Sequence, residues 1–317
     1  MPTVAALDDA TIDAAGMLVA SEHTAARRAH PSLPVAWTNP QVCTAALRRL
    51  LDAGHRGAVA IEGGRALAVL TGTERGTYAR LLAEGVAVAP DLADPTRLLV
   101  RVYGDLAPGW VARGLLWHGL DHLALPRLDE AWSNLGFGRH HVFATQPAVP
   151  RSSPTNVQVR IADGGDLEVV ARLALVEIEF RGTPPIYSPG GTQSVEALVE
   201  EHLALREAGA THLVAALDGR DVGLLTIELT SPAPRLCPEG QPYIGPTATL
   251  AEARGQGAGR ALVDTALTWA HTQGYQWVSV DFESANPLSR SFWLGNGFRP
   301  TGYCVVRAIQ PADQRGG

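Results

Sequence analysis

At 317 residues the chain has room for two domains of ordinary size, and with 46% apolar and 18% charged residues it reads as a folded globular protein. A formal net charge of −6 disfavours a phosphate-backbone partner, so nucleic acid is not expected, and it suits a cationic ligand only weakly. Cys43, Cys237 and Cys304 are odd in number and far apart, which suits a reducing compartment and offers no metal spacing.

Residues 1–17 carry Asp8, Asp9 and Asp13 and neither lysine nor arginine, unlike a secretory signal. No apolar run approaches membrane-spanning length, so a cytoplasmic protein without a membrane partner is expected. A helix-like stretch covers residues 9–29, and Asn39-Pro40 starts a second helix that stops at Gly54. Strands at 57–61 and 65–71 flank the turn Glu62-Gly63-Gly64, and residues 86–89 form a short strand. A helix over 96–113 places Leu99, Val102, Tyr103 and Leu106 on one side. Strands at 120–125 and 142–145 follow. His118, His122, His140 and His141 have no helical ligand spacing, and adjacent strand residues such as Asp121 and His122 point to opposite faces, so no metal site is expected.

Residues 146–156, with Pro147, Pro150 and Pro154, read as a linker. Beyond it come a strand at 157–161, a helix at 166–180, an irregular loop at 181–191 and a helix at 194–208 capped by Ser194. Asp218-Gly219 joins strands at 212–217 and 222–229 in a hairpin. A strand at 243–250, a helix to Gln273 and strands at 277–283 and 303–309 complete the chain. The halves read alike. Ala53-Gly54, Val59-Ala60, Gly64-Arg65 and Leu70-Thr71 recur at one constant offset as Ala208-Gly209, Val214-Ala215, Gly219-Arg220 and Leu225-Thr226. Trp132, Gly136 and Phe137 recur as Trp293, Gly297 and Phe298, so the chain is read as a duplicated domain.

Between the strand at 243–250 and the next helix lies Arg254-Gly255-Gln256-Gly257-Ala258-Gly259-Arg260. Three alternating glycines let the backbone turn and keep side chains away from its amides. The following helix adds its free N–H groups and dipole, which makes an anion site suited to a pyrophosphate. The sequence lacks both the sixth-position glycine of a dinucleotide fingerprint and the lysine of a P-loop. The first half has Pro90-Asp91-Leu92-Ala93-Asp94-Pro95 at this place, where prolines remove amide donors and aspartates repel phosphate.

The glycine loop, followed by Asn286-Pro287-Leu288-Ser289-Arg290-Ser291-Phe292-Trp293 and Gly297-Phe298, resembles the GNAT superfamily of acyl-CoA N-acyltransferases. The family pattern N-x-x-A-x-x-[LF]-Y-x-x-x-G-F is matched except for Ser289 in place of Ala and Trp293 in place of Tyr. The resemblance implies an α/β fold of two tandem GNAT-like domains, each a mixed, mostly antiparallel twisted sheet flanked by helices. Residues 1–146 would be a degenerate domain, 147–156 the linker and 157–317 the catalytic domain. It implies acetyl-CoA as co-substrate, held by Thr249, Leu250, Arg254, Gly255, Gln256, Gly257, Ala258, Gly259, Arg260, Asn286 and Ser289, with a Leu250 amide polarising the thioester.

Alternation over 277–283 puts Asp281 and Glu283 on one face, and the resemblance, which places the acceptor cleft at the end of this strand, makes them the candidates for the base; a salt bridge to Arg160 or Arg307, or simple solvation, is the other reading. Tyr187 matches the region that lines the acceptor pocket. An indole cannot act as a general acid, so either another donor serves, with Tyr303 and Ser289 as candidates, or water does. The expected activity is acetyl transfer to a primary amine of a small molecule in a ternary complex, by a monomer or homodimer. The alternatives are a non-catalytic acyl-CoA sensor and an acetyltransferase acting on protein amines.

Overall fold

The computed structural model describes residues 1–152, 156–188 and 193–310. Of the expected linker, residues 153–155 lie outside the described residues, as do 189–191 of the 181–191 loop. The first half runs β1 (Thr3–Ala6), α1 (Ile12–Arg27), α2 (Pro40–Asp52), β2 (Arg56–Glu62), β3 (Arg65–Arg75), β4 (Tyr78–Val88), α3 (Thr96–Val111), β5 (Trp117–Leu123), α4 (Pro126–Asn134) and β6 (Gly138–Pro147). The second half repeats that series as β7 (Gln158–Ile161), α5 (Leu167–Arg181), α6 (Val195–Glu207), β8 (Thr211–Leu217), β9 (Arg220–Glu228), β10 (Tyr243–Thr249), α7 (Ala258–Thr272), β11 (Trp277–Glu283), α8 (Pro287–Gly295) and β12 (Arg299–Ala308).

Local chemistry accounts for many of these boundaries. Asn39 Oδ1 accepts from the Gln41 amide at 2.9 Å, and Ser194 Oγ accepts from Ala197 at 3.2 Å, each capping the helix that follows. Asp218 and Gly219 both have positive φ (49° and 76°), the requirement of the two-residue turn between β8 and β9. The duplication extends to packing. Trp132 meets Phe137 edge-on at 5.3 Å, and Trp293 meets Phe298 at 5.2 Å. Strand β4 is longer than its sequence suggests, because Arg80 and Glu84 alternate with buried Ala79, Leu81 and Ala83 and mask the apolar face.

Two compact units form, and they are not the two sequence halves. The first contains Met1–Phe143, the segment Ala233–Cys237 and the chain from Pro300 onward; the second contains Ala144–Pro232 and Pro238–Arg299. Strand β12 belongs to the first because its ladder partner is β5, antiparallel, from Gly302 opposite Leu123 to Ala308 opposite Trp117. The first unit orders its strands β1-β2-β3-β4-β5-β12 and the second β7-β8-β9-β10-β11. Within these runs the ladders are antiparallel except β4–β5 and β10–β11. In the first unit, Ile12, Val19 and Leu47 of the first two helices pack with Val59 and Val69, while Leu99, Val102 and Trp110 of α3 belong to a second cluster. In the second unit, Val170, Leu173 and Ala174 of α5 pack with Val214 and Leu224.

Each parallel ladder is short and then parts. Strand β4 pairs with β5 only from Tyr78 to Leu81, and β10 with β11 only at Tyr243 and Ile244. In the first unit the chain's own segment fills the place where β4 leaves β5. Arg235 Nη1 donates to the carbonyls of Ala83 (2.7 Å) and Val86 (2.6 Å), and Nη2 to Glu22 Oε2 at 3.0 Å. The side chains of both Arg235 and Glu22 are 1% exposed, and Ala233, Leu236 and Cys237 join the surrounding apolar core. A buried charge is tolerable only when paired and hydrogen-bonded, and this one is both.

Candidate active site

The site is built within the second unit, on β10, the turn after it and helix α7. Gly255 (φ 77°) and Gly257 (φ 93°) hold left-handed conformations that side chains disfavour, and Gly257 is the N-cap of α7. No side chain caps this helix. The amides of Gly255, Gly257, Ala258 and Gly259 have no backbone carbonyl partner among the described residues, so the turn presents free donors at the positive end of the helix. Space beside Gly255 is open. Gly259 serves packing, because a Cβ there would come within 3.1 Å of Phe292 on α8. Arg254 is exposed with its guanidinium 5.0 Å from the Phe180 ring centroid, and Arg260 approaches Asp264 at 3.5 Å. Open space, free amides and two arginines fit the diphosphate of a coenzyme A thioester.

Beyond Ile244, β10 leaves β11, and its ladder with β9 shifts register between Ile244 and Thr247. From Gly245 to Thr249 the β11-facing edge of β10 is therefore without a ladder partner among the described residues. One face of the parting strands carries charge. Tyr243 stands opposite Glu228 on β9 and opposite Ser279 on β11, and alternation brings Asp281 and Glu283 to the same side. The Tyr243 hydroxyl donates to Asp281. Arg181, at the end of α5, donates to Glu283 Oε1 from Nη2 (3.0 Å) and Nε (3.2 Å) and lies 3.5 Å from Glu177. Burial, with help from Glu283 and Asp281, pushes the Glu177 carboxyl above its ordinary range against the pull of Arg181. Burial likewise raises Glu228, followed by the charges of Asp281 and Glu201.

Several expectations meet different surroundings. The Leu250 amide donates to Val222 O at 2.9 Å, so it is spent on the β9 ladder and cannot polarise a thioester. Thr249 lies at the end of β10, its hydroxyl 3.6 Å from where a Gly259 Cβ would stand. Asn286 Oδ1 caps α8, accepting from Leu288 (3.1 Å) and Ser289 (3.0 Å). Gln256, exposed, donates through Nε2 to Glu252 O. Trp293 is 4% exposed, wedged between Phe292 and Phe298, and is a packing residue. Tyr303 belongs to the first unit with β12, where the Arg139 guanidinium lies 4.0 Å from its ring centroid. Glu283 is salt-bridged, as the plainer reading had it, but to Arg181; Arg160 pairs instead with Asp166 and Asp221. Tyr187 is 68% exposed with φ 53°.

Glu177, Arg181, Glu228 and Tyr243 were not anticipated. Alternation of Leu224, Thr226 and Glu228 along β9 was the available signal, because a carboxylate closes an otherwise buried row. In the first unit, His140 and His141 bring their Nδ1 atoms to 2.6 Å, although neighbours in a strand normally diverge, and Cys304 Sγ lies within 4.8 Å of both. That sulfur accepts from Arg80 Nη1 at 3.0 Å.

The model of the acetyltransferase (GNAT) family matches residues 173–298. Among solved structures, the chain is similar to a GCN5-related N-acetyltransferase from Sphaerobacter thermophilus, with a TM-score of 0.60 and 16% identity over 98% of this chain and 96% of that one. It is also similar to a tandem GNAT protein from the clavulanic acid biosynthesis pathway (TM-score 0.50, 15% identity, 99% and 100% covered). A GNAT-family acetyltransferase from Colwellia psychrerythraea gives 0.51 at 13% identity, covering 81% and 87%. No curated protein sequence matches. The glycine turn on α7 and the parting of β10 from β11 lie within the residues that match the acetyltransferase (GNAT) family model, and the chain as a whole shares the fold of a tandem GNAT protein.

Proposed function

We propose that this chain transfers an acetyl group from acetyl-CoA to a primary amine of a small molecule, directly, in a ternary complex. The observation that carries the reading is the juxtaposition on one strand. Free amides at the start of α7 follow directly on the unpaired edge of β10, and that edge ends beside a face of carboxylates. Acetyl-CoA supplies an activated acyl thioester when bound. Arg254, Arg260 and the amides from Gly255 to Gly259 would hold its diphosphate, and the open edge of β10 up to Thr249 would receive its amide-bearing arm.

The acceptor is read from charge. Glu177, Glu228, Asp281 and Glu283 present four carboxylates against one guanidinium, Arg181, so the face favours a cationic ligand over an anionic one. An amine is protonated near neutral pH and fits such a face. Tyr187, on the loop after α5, would line the outer side of the pocket; Asn286 and Ser289 would act by fixing the start of α8. The test is thiol release from acetyl-CoA with a panel of small primary amines. Release that depends on one amine class supports transfer. Binding of acetyl-CoA without release in the presence of any amine would make the protein a sensor. Labelling of lysate proteins, with no small product, would move the acceptor to protein amines.

A further inference from the structure

The pairing of Tyr243 with Glu228 puts a carboxylate at the point where β10 parts from β11. Two residues along β10, Gly245 lies on the same face. A Cβ built there would overlap Glu228 Oε1 and stand 3.2 Å from its Cδ. The carboxyl group therefore rests in the space that any other residue's side chain would occupy. Gly245 has an ordinary backbone conformation among the described residues, without the positive φ seen at Gly255 and Gly257, so room for the Glu228 carboxylate is what glycine provides here.

The neighbouring acids are engaged elsewhere. Glu283 holds Arg181, and Asp281 accepts the Tyr243 hydroxyl. Among the described residues Glu228 has no arginine in salt-bridge contact, and it stays half-buried. Its surroundings are Tyr243 on β10, Asp281 on β11 and Glu201 on α6, while Glu177 and Arg181 of α5 and Glu283 of β11 complete the charges on this face. No cation lies among the causes that set its acidity; burial and two like charges make it more basic than a free carboxylate.

From this geometry we infer that Glu228 is the base that deprotonates the acceptor amine, an assignment that rests on the transfer reading above. The ammonium form of the acceptor gives one proton to the Glu228 carboxylate. Its nitrogen lone pair then attacks the thioester carbonyl, the C–N bond forms and the C–S bond breaks with the electron pair leaving on sulfur. The second nitrogen proton goes to the thiolate, and Glu228 returns its own to solvent. The products are an acetamide, free thiol and one proton.

The experiment compares wild type, Glu228→Gln and Gly245→Ala in full-length protein with an amine that supports thiol release. Glu228→Gln should lower kcat by about 10²-fold or more while leaving the Kd for a non-transferable acetyl-CoA analogue within twofold. The acid limb of the wild-type kcat–pH profile should vanish in that variant. Gly245→Ala, which crowds the carboxylate without removing it, should lower kcat and shift the same limb, with an unchanged thermal midpoint showing that the fold survives. Wild-type kcat and an intact acid limb in Glu228→Gln would overturn the assignment and leave the transfer reading standing. Absence of thiol release by wild type with every amine would instead overturn the transfer reading, and the assignment with it.

Discussion

At the scale of single residues, the site separates acids that hold the structure from acids free to meet a ligand. Glu283 is 7% exposed and receives two charge-assisted hydrogen bonds from Arg181. Its loss would leave that guanidinium without one of its two carboxylate partners. Glu283→Gln is therefore expected to lower stability by about 1–3 kcal/mol, the range for hydrogen bonds to a charged group. Denaturant unfolding checks this, and a variant as stable as wild type would remove Glu283 from the structural role. Gly257 is constrained differently. With φ at 93° any side chain there strains the turn, so a Gly257→Val variant would lose stability as well as ligand binding. It is a poor probe of the anion site alone.

At the scale of elements, α7 supplies the anion site through its backbone, and its first turn lacks acidic residues that would compete with a phosphate. Arg254 is the exposed charge nearest the start of this turn and holds no salt bridge among the described residues. Arg254→Glu should weaken acetyl-CoA binding at least tenfold, because a cation beside the diphosphate becomes an anion at a cost of about 1.4 kcal/mol or more. The thermal midpoint should not move. Calorimetric titration measures the first effect, and unaltered affinity would show that the coenzyme's diphosphate does not lie at this turn. The equivalent helix of the first unit, α3, follows a turn in which Asp94 accepts the Thr96 amide and Asp91 is paired with Arg65. There the donors are reduced and the charge is reversed.

For the molecule as a whole, the first unit offers a second GNAT-like parting of strands, and Arg235 and its neighbours occupy it. One acetyl-CoA analogue per chain is the expected stoichiometry; titration to two comparable sites would contradict it. Stability should also depend on pH through buried histidines. Burial, ahead of the charge of Arg235, depresses His23 to about 3, and burial depresses His122 and His202 to about 4. Above the ordinary value near 6.5 these rings are neutral in both folded and unfolded chains. As pH falls from 6.5 toward 4 the unfolded chain takes up protons that the folded chain refuses, and stability is lost by roughly 1 kcal/mol per pH unit for each ring. Thermal midpoints should therefore fall between pH 7 and pH 5. Midpoints that rise over that range would mean that the raised carboxylates Glu177 and Glu228 dominate instead.

The element series, the duplication and the anion turn were legible in sequence because their signals are local. Asn39 and Ser194 cap by reaching two or three residues along the chain, Asp218-Gly219 sets its own turn, and the alternating glycines need only the strand and helix that flank them. What the tertiary structure alone decided is which distant groups meet. Alternation placed Asp281 and Glu283 on one face, but not Arg181 against Glu283 from more than a hundred residues away. Nor could it show the carboxylate of Glu228 resting over Gly245. The tail of the second half reads as its own closing strand, yet β12 finds its ladder in the first unit, and Arg235 its carbonyls there too. Strand pairing and buried charge pairing are set by which partner completes a hydrogen-bond inventory, and a linear pattern carries no record of that partner.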